Sequence, residues 1–289
     1  MGININPPEK TVRMMYIHHS CGSNWLADGN GRLGLALAEN NYYVSDINYG
    51  WGPDVIGDHT YTGHWWTWFR GENSGRYLEA VYREDGRNSG FSRPLPSPGG
   101  ENEIILFKSC YPNSNYKGGA EDVVPAISEN KLRNGDWTSE HHTVGNAKGI
   151  YIDLLDYFKT RRDKLFAVIT APPVSDPQWA QNARHFNNWL VYEWLKDYPY
   201  KNVAVYDFYN VLTSNGGSAD VNDLGKESGN HHRIWNGEIQ HIVGEKCDIS
   251  RYPLSKEDDH PASAGNLKAT GEFTAVMNHF YNEWREDSK

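Results

Sequence analysis

Short apolar runs alternate along this chain with longer stretches in which apolar residues recur every three or four positions. The runs are Val12–Ile17, Tyr42–Ile47, Ile104–Ser109, Leu165–Thr170 and Val203–Phe208. Each runs within three residues into Gly, Pro, Asn, Ser or Asp, and that combination predicts buried strands. Between them, Lys148–Phe158 carries Ile150, Leu154, Leu155 and Phe158 at helical spacing, and Asn182–Lys196 carries Phe186, Trp189, Leu190 and Trp194. A last helix is expected over Ala264–Trp284, with Phe273, Val276, Met277, Phe280 and Trp284 on one stripe. Trp25–Glu39 reads as one helix interrupted by Gly29 and Gly31.

Strands alternating with helices predict an α/β fold, a three-layer α/β/α sandwich around a five-stranded parallel sheet. Chemistry in such folds gathers at the carboxyl ends of the strands. Two regions rich in Gly, Asn, His and Trp, 50–100 and 213–255, read as elaborated loops of a single domain spanning 1–289.

The segments after the strands are the ones to inspect. His18-His19-Ser20-Cys21-Gly22 follows the first, and Asn48-Tyr49-Gly50-Trp51-Gly52-Pro53-Asp54 the second. Cys110-Tyr111-Pro112-Asn113-Ser114 follows the third, and Glu257-Asp258-Asp259-His260-Pro261 precedes the last helix. Acyl transfer needs a hydroxyl nucleophile, a base, a carboxylate to orient the base, and donors for an oxyanion. These four islands supply Ser20, His260, an acidic neighbour, glycine N–H groups and the Asn113 amide.

The order Ser, Gly, Asn and then an acid–His pair near the end resembles the SGNH (GDSL-like) hydrolases. "HHSCG", "NYGWGPD", "FKSCYPNSN", "ITAPP" and "DDHPASAGNLKAT" resemble, over nearly the full length, an SGNH-like group of mostly uncharacterised proteins. The resemblance implies Ser20 as nucleophile and His260 as base. It implies the N–H of Ser20, the N–H of Gly52 and the Asn113 side chain as oxyanion donors, with Gly50 the alternative glycine. The acid falls on Glu257 by the superfamily's usual spacing and on Asp258 by residue type. Asp258 is taken here, with a backbone carbonyl and a Ser–His dyad as the alternative. His18-His19 stands where the superfamily has Gly-Asp, and Tyr111-Pro112-Asn113 where it has Gly-x-Asn. Cys21 and Cys110 follow strands that are neighbours in the superfamily's sheet order, so a disulfide between them is an expectation of the resemblance, and free buried thiols are the default.

Composition narrows the partners. The 289 residues carry a formal net charge of -9, which disfavours nucleic acid. No apolar run approaches the roughly 18 residues of a membrane span. The start, "MGININPPEK", has no apolar core of a signal peptide. The chain is then expected in the cytoplasm, or outside it if an export signal has been trimmed. Eleven Trp and 18 Tyr suggest aromatic surfaces for sugar stacking, with Trp51 and Trp65 as substrate-binding candidates. His18 and His19 are neighbours on an extended backbone and face opposite ways, which makes them a poor metal pair. His141-His142 and His231-His232, with His241 nearby, read as polar-loop histidines. No metal and no cofactor are expected.

The reading is a monomeric serine esterase that deacetylates a carbohydrate through Ser20, His260 and Asp258. Its rivals are a general short-chain acyl esterase, a non-catalytic glycan-binding protein and a metal-dependent hydrolase.

Overall fold

A computed structural model describes residues 2–218 and 220–288. Strand β1 (Val12–Ile17) is an interior strand of a sheet, pairing in parallel with β2 (Tyr42–Ile47) and with β3 (Ile104–Lys108). β3 pairs with β4 (Leu165–Ile169), and β4 with β5 (Val203–Tyr206), also in parallel. The order is β2-β1-β3-β4-β5. The expected five-stranded parallel sheet is therefore present. Every residue of these strands is buried, which is why the sequence shows continuous apolar runs rather than alternation.

The two-residue period instead sorts side chains between two cores. Met15, Ile17, Ile105, Phe107, Phe166 and Val168 join one cluster. It is covered by α3 (His64–Phe69), α4 (Ser74–Arg83), α5 (Val144–Phe158) and α6 (Ala180–Tyr192). Met14, Tyr16, Val44, Leu106, Ala167 and Tyr206 join the other. That face is covered by α1 (Ser20–Leu26), α2 (Leu33–Glu39) and, after the short α7 (Phe208–Val211), the final helix α8 (Ser263–Asp287).

The expected single helix over Trp25–Glu39 is two helices. The chain turns back between them, and a Cβ at Gly31 would lie 2.4 Å from the Trp25 carbonyl oxygen. The region 50–100 holds α3 and α4. The region 213–255 holds a hairpin of β6 (Asn230–Trp235) and β7 (Glu238–Val243). Its turn is Asn236-Gly237, both at positive φ (51° and 79°), the chemistry of a tight hairpin turn. No helix among the described residues is long and apolar enough to cross a membrane.

A second hairpin, β8 (Pro253–Ser255) with β9 (Asp258–Pro261), leads into α8. Asp258-Asp259-His260-Pro261 is therefore strand, not the lead-in turn of a helix. α1 is tied to α8 by Trp25, whose indole N–H donates to Thr270 Oγ1 at 2.9 Å and whose ring stacks on Phe208 at 4.5 Å. Ser263 Oγ donates to the Asn30 carbonyl, and Asn266 Nδ2 to the Asn30 side chain. These bonds fix the position of β9 and α8 against the turn that carries Ser20.

Candidate active site

β1 ends at Ile17 and α1 begins at Ser20. His18 and His19 bridge the two with extended backbone, and His19 is the residue before the helix (φ −121°, ψ −158°). Their rings point apart, as alternation requires. His18 turns inward, with Nε2 3.2 Å from Asp46 Oδ2 and Nδ1 2.8 Å from the His19 carbonyl oxygen. It packs beneath α1 so closely that a Cβ at Gly22 would lie 2.4 Å from the His18 Cβ and Cγ. His19 turns the other way, with Nε2 2.7 Å from the Gly57 carbonyl and its ring stacked on Tyr49 at 3.8 Å. Burial lowers its pKa from the usual histidine value. The "HHSCG" stretch is thus a scaffold for the turn. Ser20 sits at a helix N-terminus, where backbone N–H groups lack helical partners.

His260 reaches this serine from the far end of the chain. Its Nε2 is 2.6 Å from Ser20 Oγ, and its Nδ1 is 2.5 Å from Asp258 Oδ1. Asp258 Oδ1 also accepts the backbone N–H of His260 at 3.0 Å. Those bonds lower the Asp258 pKa. Hydrogen bonding to Cys110 and to Asp258 raises that of His260. Glu257 lies in the exposed turn, its backbone N–H on Ser255 Oγ, and Asp259 accepts the Ser175 N–H on the other side of the strand. Of the two acidic candidates, Asp258 is the one on the histidine.

Asn113 is buried in the short turn after β3 (Tyr111–Ser114). Its Oδ1 accepts the Thr62 N–H at 2.9 Å and the Thr62 hydroxyl at 3.3 Å, and its Nδ2 donates to the Cys110 carbonyl at 3.3 Å. His142 Nε2 lies 3.0 Å from the Asn113 carbonyl oxygen. In the loop after β2, the Gly50 N–H is taken by Asp58 Oδ1 at 2.7 Å. Gly52 is exposed at φ 78°. In this loop Tyr49 stacks on His19, the residue before Ser20, and burial raises the pKa of its phenol against hydrogen bonding from Ser20.

One of the two proposed tryptophans needs correcting. Trp65 has no exposed surface and donates its indole N–H to Ser109 Oγ within the core, so it offers no face to a substrate. α3 wraps back on the sheet, and Trp65, Trp68 and Phe69 all go inward. Trp51 is half-buried, stacked on Trp68 at 6.2 Å with its N–H on Glu84. Beside the Ser20–His260 pair lies instead Tyr111, edge-on to His260 at 5.0 Å, and Tyr49 and Tyr61 flank the neighbouring His19.

Behind Ser20 lie the two cysteines that the resemblance places on neighbouring strands, unbridged. Cys110 Sγ is 3.5 Å from Ser20 Oγ and 3.0 Å from Cys21 Sγ, and both cysteines are free thiols. Hydrogen bonds from Cys21, His260 and Ser20, with Lys108 nearby, hold the pKa of Cys110 well below the usual thiol value, whereas burial pushes Cys21 up. Lys108 is itself fully buried, donating to the Ser109 carbonyl at 3.1 Å.

The doublet His231-His232 and His241 are each hydrogen-bonded within the protein, away from Ser20. His231 pairs with Glu272 at 2.7 Å, and His232 Nδ1 accepts the Asp207 N–H at 2.8 Å. His241 Nε2 lies 2.7 Å from Asp207 Oδ2. His232 and His241 line a cavity of about 490 Å³ along β5 that shares no residue with the Ser20 site. Compared with known proteins, the chain matches no family model, and neither a curated protein nor a solved structure matches it.

Proposed function

We propose that the chain is a serine esterase of the SGNH type that removes short acyl groups, acetyl foremost, from a carbohydrate. The observation that carries the reading is the relay Asp258–His260–Ser20, with both links at hydrogen-bond distance. Asp258 holds the Nδ1 proton, so Nε2 presents its lone pair to the Ser20 hydroxyl. Ser20 Oγ attacks the ester carbonyl as His260 takes its proton. His260 then gives that proton to the departing alkoxide. Water, deprotonated by His260, hydrolyses the acyl-serine.

For the oxyanion, the Ser20 N–H has the helix's positive end behind it. Asn113 Nδ2 carries a second proton beyond the one on Cys110, and Gly52 remains the glycine candidate because Gly50 is committed to Asp58. Rings at Tyr49, Tyr61 and Tyr111 suit a sugar, replacing Trp65 as support for that substrate.

The test is hydrolysis of nitrophenyl acetate and release of acetate from acetylated xylan. Ser20→Ala should abolish both while the circular dichroism spectrum stays unchanged. Full activity in that variant overturns the mechanism, and activity confined to long-chain esters overturns the substrate class.

A further inference from the structure

The hydrolytic cycle uses neither thiol, yet two cysteines from different strand ends meet under the nucleophile. Cys21 Sγ, Cys110 Sγ and a ring nitrogen of His260 all lie within 4.8 Å of one another, and Ser20 Oγ lies 2.6 Å from His260 Nε2 and 3.5 Å from Cys110 Sγ. We propose that Cys21, Cys110 and His260 bind a thiophilic divalent cation of the zinc class, with the Ser20 hydroxyl as fourth donor, and that its binding shuts the hydrolytic site.

The donor set is two sulfurs, one imidazole nitrogen and one oxygen, which suits a tetrahedral soft cation rather than calcium or magnesium. At metal–sulfur bonds of about 2.3 Å, tetrahedral sulfurs stand about 3.8 Å apart. The present 3.0 Å must therefore open by less than about 1 Å, within reach of small side-chain rotations. The imidazole already has the right tautomer. Asp258 occupies Nδ1 and leaves the Nε2 lone pair outward, the carboxylate–histidine arrangement common at metal centres. Among the described residues this is the one group of three His, Cys or carboxylate side chains gathered closely enough for a metal.

In binding, the two thiols release their protons to solvent and each sulfur donates an electron pair. His260 donates its Nε2 pair, and the serine remains a neutral alcohol. No electron is transferred. The cation thereby takes the lone pair that would have received the serine proton. The inhibitory part of the inference rests on the esterase reading, whereas the binding part does not.

The experiment is a titration of reduced, metal-free protein with Co²⁺ under anaerobic conditions, followed by absorption. One equivalent should bind, with thiolate-to-cobalt charge-transfer and the visible bands of tetrahedral cobalt, and Zn²⁺ should displace it. Cys21→Ala and Cys110→Ala should each weaken binding at least about tenfold and reduce the charge-transfer band, with folding checked by circular dichroism. Ser20→Ala should keep that band. Zn²⁺ should also suppress nitrophenyl acetate hydrolysis by the parent protein, with recovery on adding a chelator. Binding without the thiolate band, or unchanged in both cysteine variants, overturns the site. Thiolate-bound cobalt in a protein whose metal-free form hydrolyses nothing overturns the esterase reading alone. An active esterase that binds no cobalt overturns the metal site alone.

Discussion

Asp258 and His260 stand two residues apart on one extended strand, and this spacing is what lets one carboxylate hold the imidazole. Side chains at i and i+2 of a strand share a face. Asp258 Oδ1 therefore meets both the Nδ1 and the backbone N–H of His260, while Asp259 between them turns away to Ser175. An acid three residues before the histidine, at Glu257, falls in the turn of the hairpin instead.

Asp258→Asn should therefore lower kcat/KM for nitrophenyl acetate by about 10²–10⁴-fold, because the amide does not hold the base tautomer. Glu257→Gln should leave it within about twofold. The reverse ranking would move the acid to Glu257.

Thr62 clamps Asn113 through two hydrogen bonds to Oδ1. Asn113→Ala should cost about 10²–10³-fold in kcat, the scale of a lost oxyanion donor. Thr62→Ala keeps the backbone bond and loses the hydroxyl, so it should cost about tenfold, with KM little changed. A KM effect alone in both variants would assign Asn113 to ground-state binding.

Tyr49 stacks on His19, the residue before Ser20, while remaining 59% exposed. Tyr49→Phe should reduce kcat by up to about tenfold if the phenol donates to the oxyanion. An increase in kcat/KM would instead make the phenol an obstruction that substrate must displace. Steady-state kinetics on one short ester distinguishes the two.

Three buried histidines set an acid limit on the fold. Burial lowers the pKa of His64 and His142 to about 4, and that of His232 to about 3. Below about pH 6.5 the unfolded chain binds up to three protons at these positions that the folded chain refuses until about pH 4, and His19, also lowered by burial, acts in the same direction. The stability these neutral rings confer is complete above pH 6.5 and is lost as pH falls, with a slope of up to about 4 kcal/mol per pH unit. His260 is raised rather than lowered, so both of its states are protonated below pH 6.5 and it adds nothing to that slope. The midpoint of urea unfolding should fall steadily between about pH 7 and pH 5. A midpoint constant over that range would place the unfavourable burial elsewhere.

Much of the fold was legible because burial has a period. The five parallel strands begin where the apolar runs begin, and the stripe from Phe273 to Trp284 lies within α8. Helix and strand ends moved by a few residues, and Trp25–Glu39 split because Gly31 must pass against Trp25, a contact that no local pattern reports. The tight turn of the β6–β7 hairpin was written in Asn236-Gly237 and went unread amid polar loop residues. In the site, Ser20, Asp258, His260 and Asn113 could be picked out because each follows a strand end or precedes the last helix.

What the sequence by itself determined is therefore the layering and the list of chemical groups at the carboxyl edge of the sheet. These follow from hydrophobic period and turn chemistry, which are local. What only the tertiary structure decided is which of those groups touch. It brought His260 to Ser20 across most of the chain, because Trp25, Thr270 and Asn30 lock α1 to α8. It buried Trp65, and it left Cys21 and Cys110 as free thiols 3.0 Å apart. Contacts between distant segments depend on how whole faces pack, and no spacing along the chain records that.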